Sequence, residues 1–150
     1  MAKSAVRRAP LSVTASGISN LSKVPVISIV DDDKSVREGM RRLIRSLGYA
    51  TASFASAEEY LLSDRLQDTS CLITDIKMPG MSGVEMQSRL IANGHRTPII
   101  FMTAFPEEEI RERVLEAGAF GFLSKPVNES CLIGCLDKAL KGDNSSSLEQ

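Results

Sequence analysis

The residues able to do chemistry in this chain sit directly behind short apolar runs. Asp31, Asp32 and Asp33 follow Val26 to Val30, Asp75 follows Cys71 to Thr74, Thr103 follows Ile99 to Met102, and Ser124 and Lys125 follow Phe120 to Leu123. Carboxylates gathered in one crevice repel one another, which raises some of their pKa values unless a cation is present. Oxygen donors without His or Cys suit a hard cation, and magnesium (Mg2+) takes one or two carboxylates together with water and phosphate oxygens. A lysine and a hydroxyl facing such an ion add donors for an anion, so the set describes a phosphoryl site rather than a cation buffer. An aspartate carboxylate can attack phosphorus to give an acyl phosphate, a reaction governed by positioning and charge neutralisation. Each residue alone has a plainer reading, since acids behind strands cap helices and lysines are usually solvated surface charges. Their joint placement behind successive apolar runs favours a shared site.

The elements that must position these residues follow from the pattern around them. After Pro25, strand-sized apolar runs alternate with amphipathic stretches, the signature of repeated βα units around a parallel sheet. The runs are Val26 to Val30, a weaker one at Ala50 to Phe54, Cys71 to Thr74, Ile99 to Met102 and Phe120 to Leu123. Between them, Val36, Met40, Leu43, Ile44 and Leu47 recur at helical spacing, and Ser56 with Glu59 predicts a capping box ahead of Tyr60 and Leu61. Ser82 and Gly83 open a third helix through Ile91. Pro106 suits the first turn of a fourth, where Glu107, Glu108 and Glu109 meet the positive end of the dipole, and Asn128 caps a fifth containing Leu132, Leu136 and Leu140. The Glu run is therefore read as a helix start, not a metal site. In an open α/β sheet, ligands bind outside the carboxyl ends of the strands, which is where the polar residues fall.

Size and composition narrow the class. A chain of 150 residues with 43% hydrophobic and 25% charged residues fits one globular domain, and no apolar run is long enough to span a bilayer. Lys3, Arg7, Arg8 and Lys23 all precede the first acid, so the net charge of -1 divides into a basic arm and a remainder of net -5. That acidic remainder argues against nucleic acid as a direct partner. The chain divides into a disordered basic arm at 1–24, a folded unit at 25–142 and a disordered polar tail at 143–150. Cys131 and Cys135 have helical spacing without the further ligands of a zinc site, so the three cysteines read as small buried hydrophobes in a reducing cytoplasm. The sole histidine, His95, lies far along the chain from the acids and reads as a surface residue.

The stretches VISIVDDDKSVRE, LITDIKMPGMSG, PIIFMTA and AGAFGFLSKP resemble the receiver domains of bacterial response regulators, over the span from Val26 to Lys141. The wording is most similar to receivers that precede a helix-turn-helix output domain. The resemblance implies a single flavodoxin-like α/β domain, a doubly wound five-stranded parallel sheet in the order 2-1-3-4-5. It makes Asp75 the phosphoacceptor, Asp31 and Asp32 the acid pair, and the backbone carbonyl of Lys77 a further magnesium ligand, with Asp33 outside the pair. Thr103 and Lys125 contact the phosphoryl group, Phe122 is the aromatic that reorients with Thr103, and the Lys125-Pro126 bond is cis. The implied partner is a sensor histidine kinase or a phosphotransfer protein. A homodimer through the fourth helix, fifth strand and fifth helix belongs to the same expectation. The expected role is a signalling phosphoacceptor that dephosphorylates itself slowly and is otherwise no enzyme. Lys77 and Phe105 stand where many relatives carry polar or acidic side chains, which bears on the lifetime of the phosphorylated state. Both a stand-alone receiver and part of a longer regulator fit.

A rival reading is a haloacid-dehalogenase-type phosphohydrolase with Asp31 as nucleophile. Asp31, Asp33 and Ser35 imitate that family's D-x-D-x-[ST] motif, and Thr103 and Lys125 resemble its second and third motifs. Its final acidic motif has no counterpart, since only the isolated aspartates Asp137 and Asp143 follow Lys125, and Asp75 and MPGMSG are left without a role. A degenerate receiver acting only as a scaffold is a third reading, opposed by the presence of every phosphorylation residue. A flavin-binding protein would need a phosphate-cradling loop where Asp31 to Asp33 stand.

Overall fold

A computed structural model describes residues 24–142; the tail and all of the basic arm but Val24 lie outside the described residues. The strands are β1 (Val26–Val30), β2 (Ala50–Phe54), β3 (Cys71–Asp75), β4 (Ile99–Thr103) and β5 (Gly121–Ser124). The helices are α1 (Lys34–Ser46), α2 (Ala57–Leu61), α3 (Gly83–Ala92), α4 (Glu108–Glu116) and α5 (Glu129–Lys141). All neighbouring strands pair in parallel, in the order β2-β1-β3-β4-β5, as the resemblance implied. The strands run slightly further toward the polar residues than the apolar runs suggested. β3 and β4 take in Asp75 and Thr103, whose backbones remain in the ladder, and β5 begins one residue later, at Gly121.

Side-chain alternation along the strands separates two apolar layers. Ile27, Ile29, Ile73, Ile100, Met102 and Leu123 face Met40 and Ile44 of α1 and Leu132 and Leu136 of α5. Val30, Leu72, Phe101 and Phe122 face Tyr60, Met86, Leu90 and Val114, from α2, α3 and α4. β3 and β4 are buried along their whole length, as strands covered on both faces must be, whereas the edge strand β2 is only partly covered. Cys71 and Cys135 are buried in the first of these layers and Cys131 packs beside it. Burial pushes the Cys135 thiol up to about 11 and that of Cys71 higher still, so both behave as small hydrophobes.

Helix starts follow the polar punctuation with two differences. Ser82 and Glu85 form the reciprocal capping box of α3, and Asn128 Oδ1 accepts the N–H of Cys131. At α2, Ser56 accepts the N–H of Glu59, but Glu59 reaches back to the N–H of Ala55 at 2.7 Å, so the expected box is shifted by one residue. α4 begins at Glu108, so Pro106 precedes the N-cap instead of sitting in the first turn, and the N-cap residue Glu107 makes no side-chain capping hydrogen bond, its carboxylate accepting Lys77 Nζ. Among the described residues no helix is long and apolar enough to cross a membrane.

Leu72 is fully buried on the central strand β3 and Leu62 is 88% exposed, which gives a direct check of this packing. Leu72→Ala is expected to lower unfolding free energy by about 2–5 kcal/mol in denaturant titration, and Leu62→Ala by less than about 0.5 kcal/mol.

Candidate functional site

Because the sheet is parallel, the carboxyl ends of its strands open on one edge, and there the side chains of Asp31, Asp32, Asp75, Thr103 and Lys125 arrive. Oxygens of Asp31, Asp32 and Asp75 lie within 4.8 Å of one another. Lys125 Nζ spans two of these carboxylates, 2.8 Å from Asp31 Oδ2 and 3.0 Å from Asp75 Oδ2. The chain thus folds strands separated by many residues into one charge cluster, with the cation supplied from the end of β5.

Asp31 is held on several sides. Its side chain is fully buried, Oδ1 accepts the N–H of Asp33 at 2.9 Å, its backbone N–H donates to the carbonyl of Phe54, and its own carbonyl accepts Arg37 Nη1 at 2.8 Å. Burial raises the Asp31 carboxyl above its ordinary value; Lys125 and the Asp33 N–H oppose the rise, and the charge of Asp75 adds to it. Burial alone would lower Lys125, but its hydrogen bonds to Asp31 and Asp75 outweigh it and hold the ammonium above the usual lysine value. Asp32 is exposed, and its oxygen completes the cluster from the solvent side.

Asp75 Oδ1 accepts the N–H of Ile76 at 2.7 Å, which leaves Oδ2 toward Lys125. The loop behind it folds back so that Gly83 N–H donates to the Ile76 carbonyl at 2.8 Å, and a Cβ on Gly83 would collide with the Asp75 carbonyl. Only glycine allows α3 to start this close to the site. Thr103 is buried, its Oγ1 accepts the N–H of Phe105 at 3.1 Å, and its carbonyl accepts the N–H of Lys125. Phe122 is buried in the core below, while Phe105 is 66% exposed above. Lys77 Nζ stands 5.6 Å from the Phe105 ring centroid and 3.0 Å from Glu107 Oε2, so the loops after β3 and β4 meet at the rim of the site. The Lys125-Pro126 peptide is cis.

Several residues stand apart from the cluster. Asp33 Oδ1 caps α1 by accepting the N–H groups of Ser35 and Val36. Ser124 is exposed and does not enter the hydrogen bonds of the cluster. His95 is half-buried and lines a cavity of about 510 Å3 at the opposite edge of the sheet. Residues to which the sequence pattern gave no part in the site also support it. Arg37 and Glu107 act through contacts reaching beyond their own turn, and Glu58 accepts the N–H of Met81. Capping spacing drew notice to Glu59 next door, but no local spacing marks Glu58.

The donor set is all oxygen, with one lysine at hand for an anion, and it fits a hard divalent cation beside a phosphoryl group. Comparison with known proteins decides the family: residues 27–137 match the response regulator receiver domain. The chain belongs to that family. The response regulator protein TodT of Pseudomonas putida is 36% identical over 126 residues, covering 83% of this chain and 56% of that protein. TmoT of Ectopseudomonas mendocina is 39% identical over 116 residues, covering 77% and 53%. The chain therefore spans about half the length of the curated relatives it matches. Among solved structures, that of response regulator StyR superposes with a TM-score of 0.75 at 40% identity, covering 81% of this chain and 61% of that one. FixJ-N gives 0.71 at 29%, covering 79% and 95%.

The receiver family is a signalling family, and neither the match nor the geometry supports the phosphohydrolase alternative, since Asp33 is engaged in capping α1. The expectation that nucleic acid is no direct partner draws no support from the comparisons, because relatives of this receiver include proteins named transcriptional regulators, such as TdiR of Thauera aromatica.

Removing Lys125 tests the charge balance. Without it, Asp31 is left buried beside Asp75 with no ammonium, and its carboxyl rises further. An acid whose pKa is raised on folding binds more protons in the native state, so stability falls as pH rises from the ordinary value of 3.8 through the raised one. In chelator, Lys125→Ala is expected to cost about 1–3 kcal/mol at neutral pH, a deficit that closes below pH 3.8 in denaturant titrations run across pH.

Proposed function

We propose that the receiver unit, residues 25–142, accepts a phosphoryl group on Asp75 and alters its binding surface in response. The observation that carries this reading is Lys125 Nζ bonded at once to Asp31 and Asp75 at the carboxyl edge of the sheet. Asp75 Oδ2 attacks phosphorus as the bond to the donor, a kinase histidine or a small phosphodonor, breaks. The N–H of Ile76 orients the attacking carboxylate through Oδ1. Lys125 exchanges its contact with Asp75 for one with a phosphoryl oxygen, and Thr103 Oγ1 donates to another. Asp31, Asp32, Asp75 and the Lys77 carbonyl would hold magnesium, which when bound neutralises charge on the phosphoryl oxygens.

The signal leaves the site through Thr103. Turning its hydroxyl toward the phosphoryl group gives up the contact with the N–H of Phe105, which stands just ahead of α4. Phe122, on the strand next to Thr103, is the ring that adjusts, and α4, β5 and α5 form the surface whose populations shift. A homodimer through that surface, a sensor histidine kinase or phosphotransfer protein as donor, and a cytoplasmic location belong to the same reading.

Magnesium-dependent, base-labile labelling by a small phosphodonor is expected for the wild-type chain and is lost in Asp75→Asn. Labelling that persists in that variant, or that maps to Asp31, refutes the assignment.

The rim of the site bears on persistence. Hydrolysis needs a water in line with the bond to Asp75, and neither Phe105 nor Lys77, whose ammonium is bound to Glu107, can accept that water's proton. The phosphorylated state decays slowly unless a kinase or phosphatase removes the group. Combining Phe105→Glu with Lys77→Asn is expected to hasten loss about tenfold, each change lowering the barrier by under about 1 kcal/mol. The check is decay of labelled protein after donor removal.

A further inference from the structure

The loop that leaves Asp75 is tied from outside the site by α2. Glu58 Oε2 accepts the N–H of Met81 at 2.9 Å, across 23 residues of chain. That bond, with one from the N–H of Glu58 itself, holds the Glu58 carboxyl below its ordinary value. Next to Met81, Gly80 takes a φ of +78°, and a Cβ built there would lie 2.6 Å from Glu58 Oε2. The carboxylate is thus seated against a backbone position kept bare, and side chain and glycine form one fitted contact. The loop is closed near its start by the Ile76 carbonyl and Gly83 N–H, and beyond Met81 by the Ser82 N–H on Glu85. Lys77 lies between these anchors.

We propose that Glu58 is a positioning residue of the magnesium site: through Met81 and Gly80 it fixes the course of the loop, and with it the carbonyl of Lys77. This rests on the reading in which that carbonyl joins Asp31, Asp32 and Asp75 as a ligand. Magnesium demands near-ideal octahedral geometry, so a ligand carried on a backbone loop contributes only as far as the loop is fixed. Carboxylates on strand ends are fixed by the sheet. A carbonyl four residues before Met81 has no ladder to hold it, and Glu58 supplies the restraint.

The test is magnesium binding by the full chain, followed by calorimetry and by amide spectra, with hydrogen exchange at Gly80 and Met81 measured without metal. Glu58→Ala is expected to weaken magnesium binding roughly threefold, the scale of one hydrogen bond, and to speed exchange at Met81. Glu58→Gln keeps an acceptor oxygen and is expected to retain most of the affinity. Gly80→Ala, strained by its positive φ and crowded by Glu58, should weaken binding more in the wild-type background than in Glu58→Ala, since the crowding is then gone. Unchanged affinity and exchange in Glu58→Ala overturn the inference while leaving the phosphoacceptor reading intact. So does an equal loss in Glu58→Gln, which would assign the effect to charge acting at a distance. Failure of the wild-type chain to bind magnesium overturns both.

Discussion

The interaction on which the site depends is the ammonium of Lys125 lying between the carboxylates of Asp31 and Asp75. A fully buried carboxylate beside a second one is unfavourable by itself, because desolvation and like charge act in the same direction. The lysine makes the arrangement tolerable, and it comes from the far end of the sequence, so the charge cluster forms only when β5 is docked against β4. Assembly of the last strand and completion of the site are thus one event. In the proposed function the same lysine changes partners when the phosphoryl group arrives, so stability of the unphosphorylated fold and capture of that group would draw on one side chain.

Much of this was legible in the sequence because local patterns and global topology agree. Alternation of apolar runs with amphipathic stretches specifies a parallel sheet, and a parallel sheet places everything behind its strands on one edge. That rule picks out Asp31, Asp75, Thr103 and Lys125 from the sequence alone. What sequence could not supply were contacts without a period. Arg37 reaching the Asp31 carbonyl, Glu107 reaching Lys77 and Glu58 reaching Met81 join elements whose separation obeys no local rule. Two local details also depart from the pattern: Glu59 bonds Ala55 instead of completing its own box, and Ser124 is exposed.

The glycines divide between convenience and necessity. Gly83 must be bare because the Asp75 carbonyl passes where its Cβ would stand, and Gly80 because its φ of +78° lies in the left-handed region that side chains rarely adopt. Both lie in MPGMSG, the stretch whose wording carried much of the resemblance, so that wording is in large part a record of close backbone approach around the acid at the end of β3.

The start of α4 differs in kind from the other helix starts. α1, α2, α3 and α5 are each capped by a side-chain oxygen bonded to backbone N–H groups one turn ahead, a short-range contact that salt scarcely touches. Glu107 instead commits its carboxylate to Lys77, and both partners are about half exposed. An ion pair in that setting is screened as ionic strength rises. The start of α4 is therefore, among the described residues, the helix start tied to a half-exposed ion pair in place of a side-chain cap, and that tie weakens as the salt content of the surroundings rises. That couples the rim of the site to the medium through the helix that begins there.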